Sequence, residues 1–143
     1  MQLCTRFDEQ TLKEYASRGS SLFFYIHWQH EEAAYPGQNW TDFGAVLLSW
    51  WIAAAVSLWY GCKVETLLFM DGPYTLKITR EGTALKFHAK EFGPYECPIQ
   101  QFIFILIEAA NIVVDELKRL EIDQAAQASL LRGIDQLQKL TPH

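Results

Sequence analysis

The chain lacks most of the signals that catalytic and cofactor-binding sequences carry. It has no glycine-rich phosphate loop, no G-x-S-x-G nucleophile turn and no zinc-finger spacing of cysteine and histidine. Cysteine is scarce, at Cys4, Cys62 and Cys97, and an odd number without paired spacing argues against a disulfide framework. Positive charge is in deficit, with 12 Lys and Arg against 17 Asp and Glu, a formal net charge of −5. That balance disfavours nonspecific nucleic-acid binding, which phosphate neutralisation drives. It suits a basic protein partner. Repeats, low-complexity tracts and linkers are missing, so 143 residues read as one domain, 1–143. The N-terminal run MQLCTRFDEQTLKEY carries charges where a signal peptide has its apolar core. A reducing, cytoplasmic setting is the expectation.

What the chain has in quantity is apolar and aromatic surface, 50% and 14% of residues. That hydrophobicity argues against disorder. Residues 43–62, FGAVLLSWWIAAAVSLWYGC, run twenty positions without a charge and hold three tryptophans. A bilayer span needs about that length. Membrane helices, however, concentrate tryptophan at their two ends, whereas Trp50 and Trp51 lie mid-segment. The flanks are Asp42 and a single Lys63, with no basic cluster to set an orientation. The segment therefore reads as a buried core helix over about 42–60, covered on several sides because it is apolar almost all round. A membrane anchor over 43–62 is the competing reading.

Periodicity places the other elements. Asp8 caps a short helix over 9–18 that stops at Gly19. Residues 21–29 read as a strand and 30–41 as a loop around Pro36 and Gly37. Asn39 or Thr41 is the expected N-cap of the long helix, and Gly61 its stop. Residues 64–70, apolar on both faces toward their end, suit a central strand. Asp71-Gly72-Pro73 reads as a turn requiring left-handed geometry. Residues 74–80 and 83–90 alternate cleanly and complete a meander. Residues 91–98 read as a second loop, Pro98 opens a helix to about 120, and Asp123 caps a last helix to about Leu140. In the third helix Phe104 falls on the polar stripe Gln101, Glu108, Asn111, Asp115 and Lys118. The fold class that follows is α+β: a four-stranded mixed sheet with helices packed mainly on one face. A right-handed parallel crossover would join the first strand to the second.

Few residues invite chemistry. His27 and His30 with Glu31 and Glu32 hint at metal ligands, but positions three apart on a strand face opposite sides. No metal and no cofactor are expected. Cys97 stands just before a helix start, better placed for a low-pKa thiol than Cys62, yet a packed residue is the simpler reading. Glu31, Glu32 and Asp42 bracket a loop carrying Tyr35 and Trp40, the mixture of acid and ring that protein-binding surfaces use. The bland alternative folds Trp40 back as a staple for the helix start.

The strand, the loop, the WTDF opening (Trp40 to Phe43) of the Trp50-Trp51 helix, the FMDGPY hairpin (Phe69 to Tyr74) and the C-terminal helical pair form a pattern over about residues 20–120. It resembles small bacterial immunity proteins of polymorphic-toxin and contact-dependent inhibition systems. That resemblance implies a cytoplasmic, non-enzymatic protein that binds one cognate toxin domain and blocks its active site. A basic, nuclease-like toxin would fit the net charge. The expected contact surface is Glu31, Glu32, Tyr35, Trp40 and Asp42, with no nucleic acid and no membrane as partner. The rival is a small enzyme or ligand-binding domain with an aromatic pocket near Cys97 and His88, or near His27.

Overall fold

The computed structural model describes residues 1–141. In chain order the elements are β1 (Gln2–Arg6), α1 (Glu9–Ser17), β2 (Phe24–His30), β3 (Ala33–Tyr35), β4 (Thr41–Asp42), α2 (Gly44–Trp59), β5 (Val64–Leu68), β6 (Thr75–Glu81), β7 (Ala84–Ala89), β8 (Phe92–Pro98), α3 (Ile99–Leu120) and α4 (Gln124–Leu140). The class is α+β, but the strands form two four-stranded antiparallel sheets rather than one mixed sheet. β1 pairs with one edge of β2, from Gln2↔Gln29 to Arg6↔Tyr25. The other edge of β2 takes β3 at Trp28–His30 and β4 at Phe24–Tyr25. With both edges of β2 filled by local neighbours, β5 has no place beside it, and the parallel crossover does not form. β5 pairs instead with β6 alone and opens the meander β5-β6-β7-β8.

Three further differences have clear causes. Residues 92–98 form a strand, β8, despite Gly93 and Pro94. They sit on the sheet edge, where a missing N–H breaks no ladder bond, and a register shift between Phe87 and Ala89 absorbs the irregularity. β5 is an edge strand, not a central one, so only Leu67 of its apolar residues is buried there. Its C-terminal end is tied down by side chains: Leu68 O accepts from Trp51 Nε1 at 3.0 Å, and just beyond the strand Met70 N and Asp71 N donate to Asp42 Oδ2, each at 3.2 Å. That is one way to keep an edge from pairing with another chain. The turn Asp71-Gly72 contains no left-handed residue. Glycine is needed there because a Cβ at Gly72 would lie 2.7 Å from the Trp40 ring.

The helix ends follow the sequence more closely. Asp8 accepts from Gln10 N and Thr11 N, and Asp123 accepts from Ala126 N. Neither Asn39 nor Thr41 caps α2; Thr41 is in β4, and Asp42 Oδ1 accepts from Phe43 N at 2.7 Å. At the other end the Arg80 guanidinium donates to Leu58 O and Trp59 O, satisfying orphan carbonyls.

One hydrophobic cluster draws on both sheets and on all four helices. Trp28 is at its centre, with ring centroids 5.6 Å from Trp51 and 5.9 Å from both Phe87 and Phe102. α2 packs against β5, α3 and α4. It has 16 residues, about 24 Å at 1.5 Å per residue, against a hydrocarbon core of about 30 Å. Among the described residues no helix is long and apolar enough to cross a membrane.

Candidate functional site

The five residues expected on a contact surface divide into two groups. Asp42, expected to be an exposed carboxylate, is fully buried. Its two oxygens accept four hydrogen bonds: from Phe43 N at 2.7 Å, Trp40 Nε1 at 3.0 Å, and Met70 N and Asp71 N at 3.2 Å. A buried carboxylate needs such donors to offset lost hydration. Asp42 thereby ties the first sheet and the start of α2 to the end of β5. Trp40 is half-buried, with its ring edge-to-face on Tyr74 at 5.1 Å and on Phe69 at 6.4 Å. Tyr35 is buried; its hydroxyl donates to Thr75 O at 2.7 Å and accepts from Thr75 N at 3.1 Å. These three residues form a brace between the two sheets, the staple reading extended to a whole loop. Only Glu31 and Glu32 stand out in solvent, at the turn from β2 to β3, where Glu31 takes a left-handed φ of 51°.

The histidines and cysteines stay apart. His27 faces outward from β2, with Nε2 3.0 Å from Gln29 Oε1, while His30 stacks on Tyr95 at 3.9 Å. Among the described residues no three of His, Cys, Asp and Glu gather into a set that could hold a metal ion. Cys97 pairs across from Leu85 on the buried face of the meander, while His88 is exposed on the opposite face. The two cannot act as nucleophile and base. Burial pushes the Cys97 thiol up to about 11, away from a reactive thiolate. What remains near His88 is a groove of about 730 Å³ between β3 and the meander, lined by Tyr35, Pro36, Tyr74, Lys77, His88 and Lys90.

No family model, curated protein or solved structure matches the chain. The surface itself therefore carries the functional reading.

α3 contributes the feature that the sequence marked only as an anomaly. Ten of its residues, from Ile99 to Leu117, are buried. The opposite face carries Gln101, Phe104, Glu108, Asn111, Ile112 and Asp115, all exposed. Phe104 is 55% exposed and Ile112 50%. From Gln101 to Asp115 this stripe runs about 21 Å along the helix. It has two carboxylates and no cation until Lys118. The signal was present in the heptad-like spacing, where a phenylalanine fell among polar residues. Ile112 was less legible because it flanks the stripe by one residue.

Proposed function

We propose that this chain is a non-enzymatic, protein-binding inhibitor: a cytoplasmic immunity protein that occludes the active site of a cognate, basic toxin domain. The observation that carries the reading is the outer face of α3, where Phe104 and Ile112 stand exposed among Glu108 and Asp115. Aromatic and aliphatic anchors ringed by polar groups are how binding energy is concentrated at an interface. Carboxylates of one sign accelerate encounter with a basic partner and fix its orientation. The helix is held by its buried side, so little ordering is needed on contact. Glu31 and Glu32 supply a second exposed acidic point. Tyr35, Trp40 and Asp42 contribute indirectly, by holding the loop between the sheets.

The test is capture of a partner from the native host by the tagged chain, compared with Phe104→Arg/Glu108→Lys. A toxin domain encoded beside this gene, held by the parent and at least tenfold more weakly by the folded double variant, is the expected result. A genomic neighbourhood without a secreted effector, or equal capture by both proteins, overturns the reading. The groove beside His88 supports a second reading, a ligand-binding domain, because Lys77 and Lys90 line it without an ion-pair partner among the described residues and outnumber its one carboxylate, Glu91. A saturable shift of the His88 ring resonances on titration with pyrophosphate would favour it.

A further inference from the structure

The outer face of the meander carries two kinds of lysine. Lys86 is an ordinary surface cation: its ammonium lies 3.9 Å from a Glu81 carboxylate oxygen, and Glu96 stands opposite it on β8. Lys77 and Lys90 have no ion-pair partner among the described residues, although acids outnumber Lys and Arg by 17 to 12 in the chain. Across the sheet Lys77 faces Thr66 on β5 and His88 on β7. Side chains directly opposite one another start about 5 Å apart, so Lys77 and His88 share one part of the groove floor. Thr75, two residues before Lys77, and Lys90, two residues after His88, line the same groove of about 730 Å³. Two fixed positive charges there meet one carboxylate, Glu91.

The groove also has a wall at one end. Tyr35 and Pro36 reach it from the first sheet, and the Tyr35 hydroxyl bonds both Thr75 O, at 2.7 Å, and Thr75 N, at 3.1 Å. Wall and floor are thereby locked together before any ligand arrives. Tyr74 is held edge-to-face by Trp40 at 5.1 Å and by Tyr35 at 6.0 Å, yet it remains 41% exposed. Its open side lies with Pro36 and Pro73 along the groove. A flat apolar end therefore adjoins a cationic end. Small-molecule sites combine a preformed apolar lining with a few placed polar groups, and this volume is in their usual range.

We propose that this groove binds a nucleotide, with its phosphates between Lys77 and Lys90 and its base against Tyr74. The inference rests on the ligand-binding reading of the groove and is independent of the α3 contact. Ammonium groups hold phosphate as point charges. The His88 ring and the Thr75 hydroxyl add hydrogen-bonding groups beside them. A bare anion would leave the Tyr74 end unused. A nucleic-acid strand would need positive charge running on beyond the groove, and there Lys86 is already matched by Glu81 and Glu96.

The test is titration of the full chain with ADP and with UDP in about 0.1 M salt and EDTA, followed by calorimetry and by the His88 ring resonances. At least one nucleotide is expected to bind with a Kd of about 100 µM, about tenfold tighter than pyrophosphate, and adenosine and uridine more weakly than either. Lys77→Gln and Lys90→Gln should each weaken the nucleotide about tenfold, whereas Lys86→Gln leaves it unchanged. Tyr74→Leu should bring the nucleotide down to the pyrophosphate value and leave pyrophosphate itself unchanged, which separates a lost ring contact from a lost fold. Equal affinity for nucleotide and pyrophosphate overturns the inference while the ligand-binding reading stands. No binding of any of these probes overturns both. Equal weakening by Lys86→Gln and Lys77→Gln, the mark of a diffuse field, overturns the inference as well. Phe104→Arg/Glu108→Lys, on α3, leaves nucleotide binding unchanged, so the toxin reading fails or stands separately.

Discussion

Replacing Asp42 with alanine tests the brace that positions the loop between the sheets. The carboxylate is 0% exposed and makes no ion pair among the described residues, so its stabilisation rests on four hydrogen bonds. A buried donor left without an acceptor costs about 1–3 kcal/mol. Met70 and Asp71 are exposed residues whose amides can recruit water, which leaves Trp40 Nε1 and Phe43 N as the donors that lose most. Removing a buried charge offsets part of that loss. The expected net cost is about 3 kcal/mol, a fall in melting temperature of about 10 °C for a chain of this size. Asp42→Asn keeps the shape and one acceptor oxygen. Turned to serve Trp40, Met70 and Asp71, it sets its amide against Phe43 N–H, and about 1–2 kcal/mol is the expected cost. Urea unfolding followed by tryptophan fluorescence reads both values. A double-mutant cycle with Trp40→Phe should give a coupling of about 1 kcal/mol, since the two side chains share one hydrogen bond. An Asp42→Ala protein within 1 kcal/mol of the parent, or a coupling of zero, would refute the reasoning.

Other perturbations have equally definite outcomes. Trp51→Phe should destabilise more than Trp28→Phe by about 1 kcal/mol, because Trp51 Nε1 covers Leu68 O whereas buried Trp28 Nε1 has no acceptor to lose; equal losses in denaturant unfolding would refute this. Gly44→Ala should cost about 2 kcal/mol despite alanine's better helix propensity, since the added methyl would overlap the buried Phe24 ring; a raised melting temperature counts against it. Cys97, raised to about 11 by burial from 9.0, keeps its proton in the folded chain while the unfolded chain ionises. Its stabilisation is complete below pH 9 and is lost as pH rises to about 11. The stability of Cys97→Ala should therefore fall less steeply than the parent's across that window. A thiol reagent at pH 8 should modify Cys62 at once and Cys97 only on unfolding, which mass spectrometry of the labelled peptides checks.

Local order was legible where neighbours along the chain decide it. The caps at Asp8 and Asp123, the alternation of β6 and β7, and the long apolar helix all appear where the pattern placed them, with α2 ending four residues after Ala55 rather than filling the whole uncharged run. β1 was missed because five residues, QLCTR, carry no strong alternation and become a strand only by pairing with β2. β8 was missed because proline and glycine are loop signals except on an edge. The fate of the expected contact residues was the least legible. Asp42 and Trp40 have the chemistry of an interface, and nothing in their spacing says that β5 will bring two amides to meet that carboxylate.

By itself the amino-acid order determined the α+β class, the caps at Asp8 and Asp123, the alternation of β6 and β7 and the need to bury an uncharged tryptophan-rich helix, because each follows from side chains a few positions apart. The tertiary structure alone decided which strand lies beside which, that Asp42 serves the interior, and which side of α2 is left uncovered. Those outcomes depend on groups tens of residues apart competing for the same edge, the same donor and the same buried space.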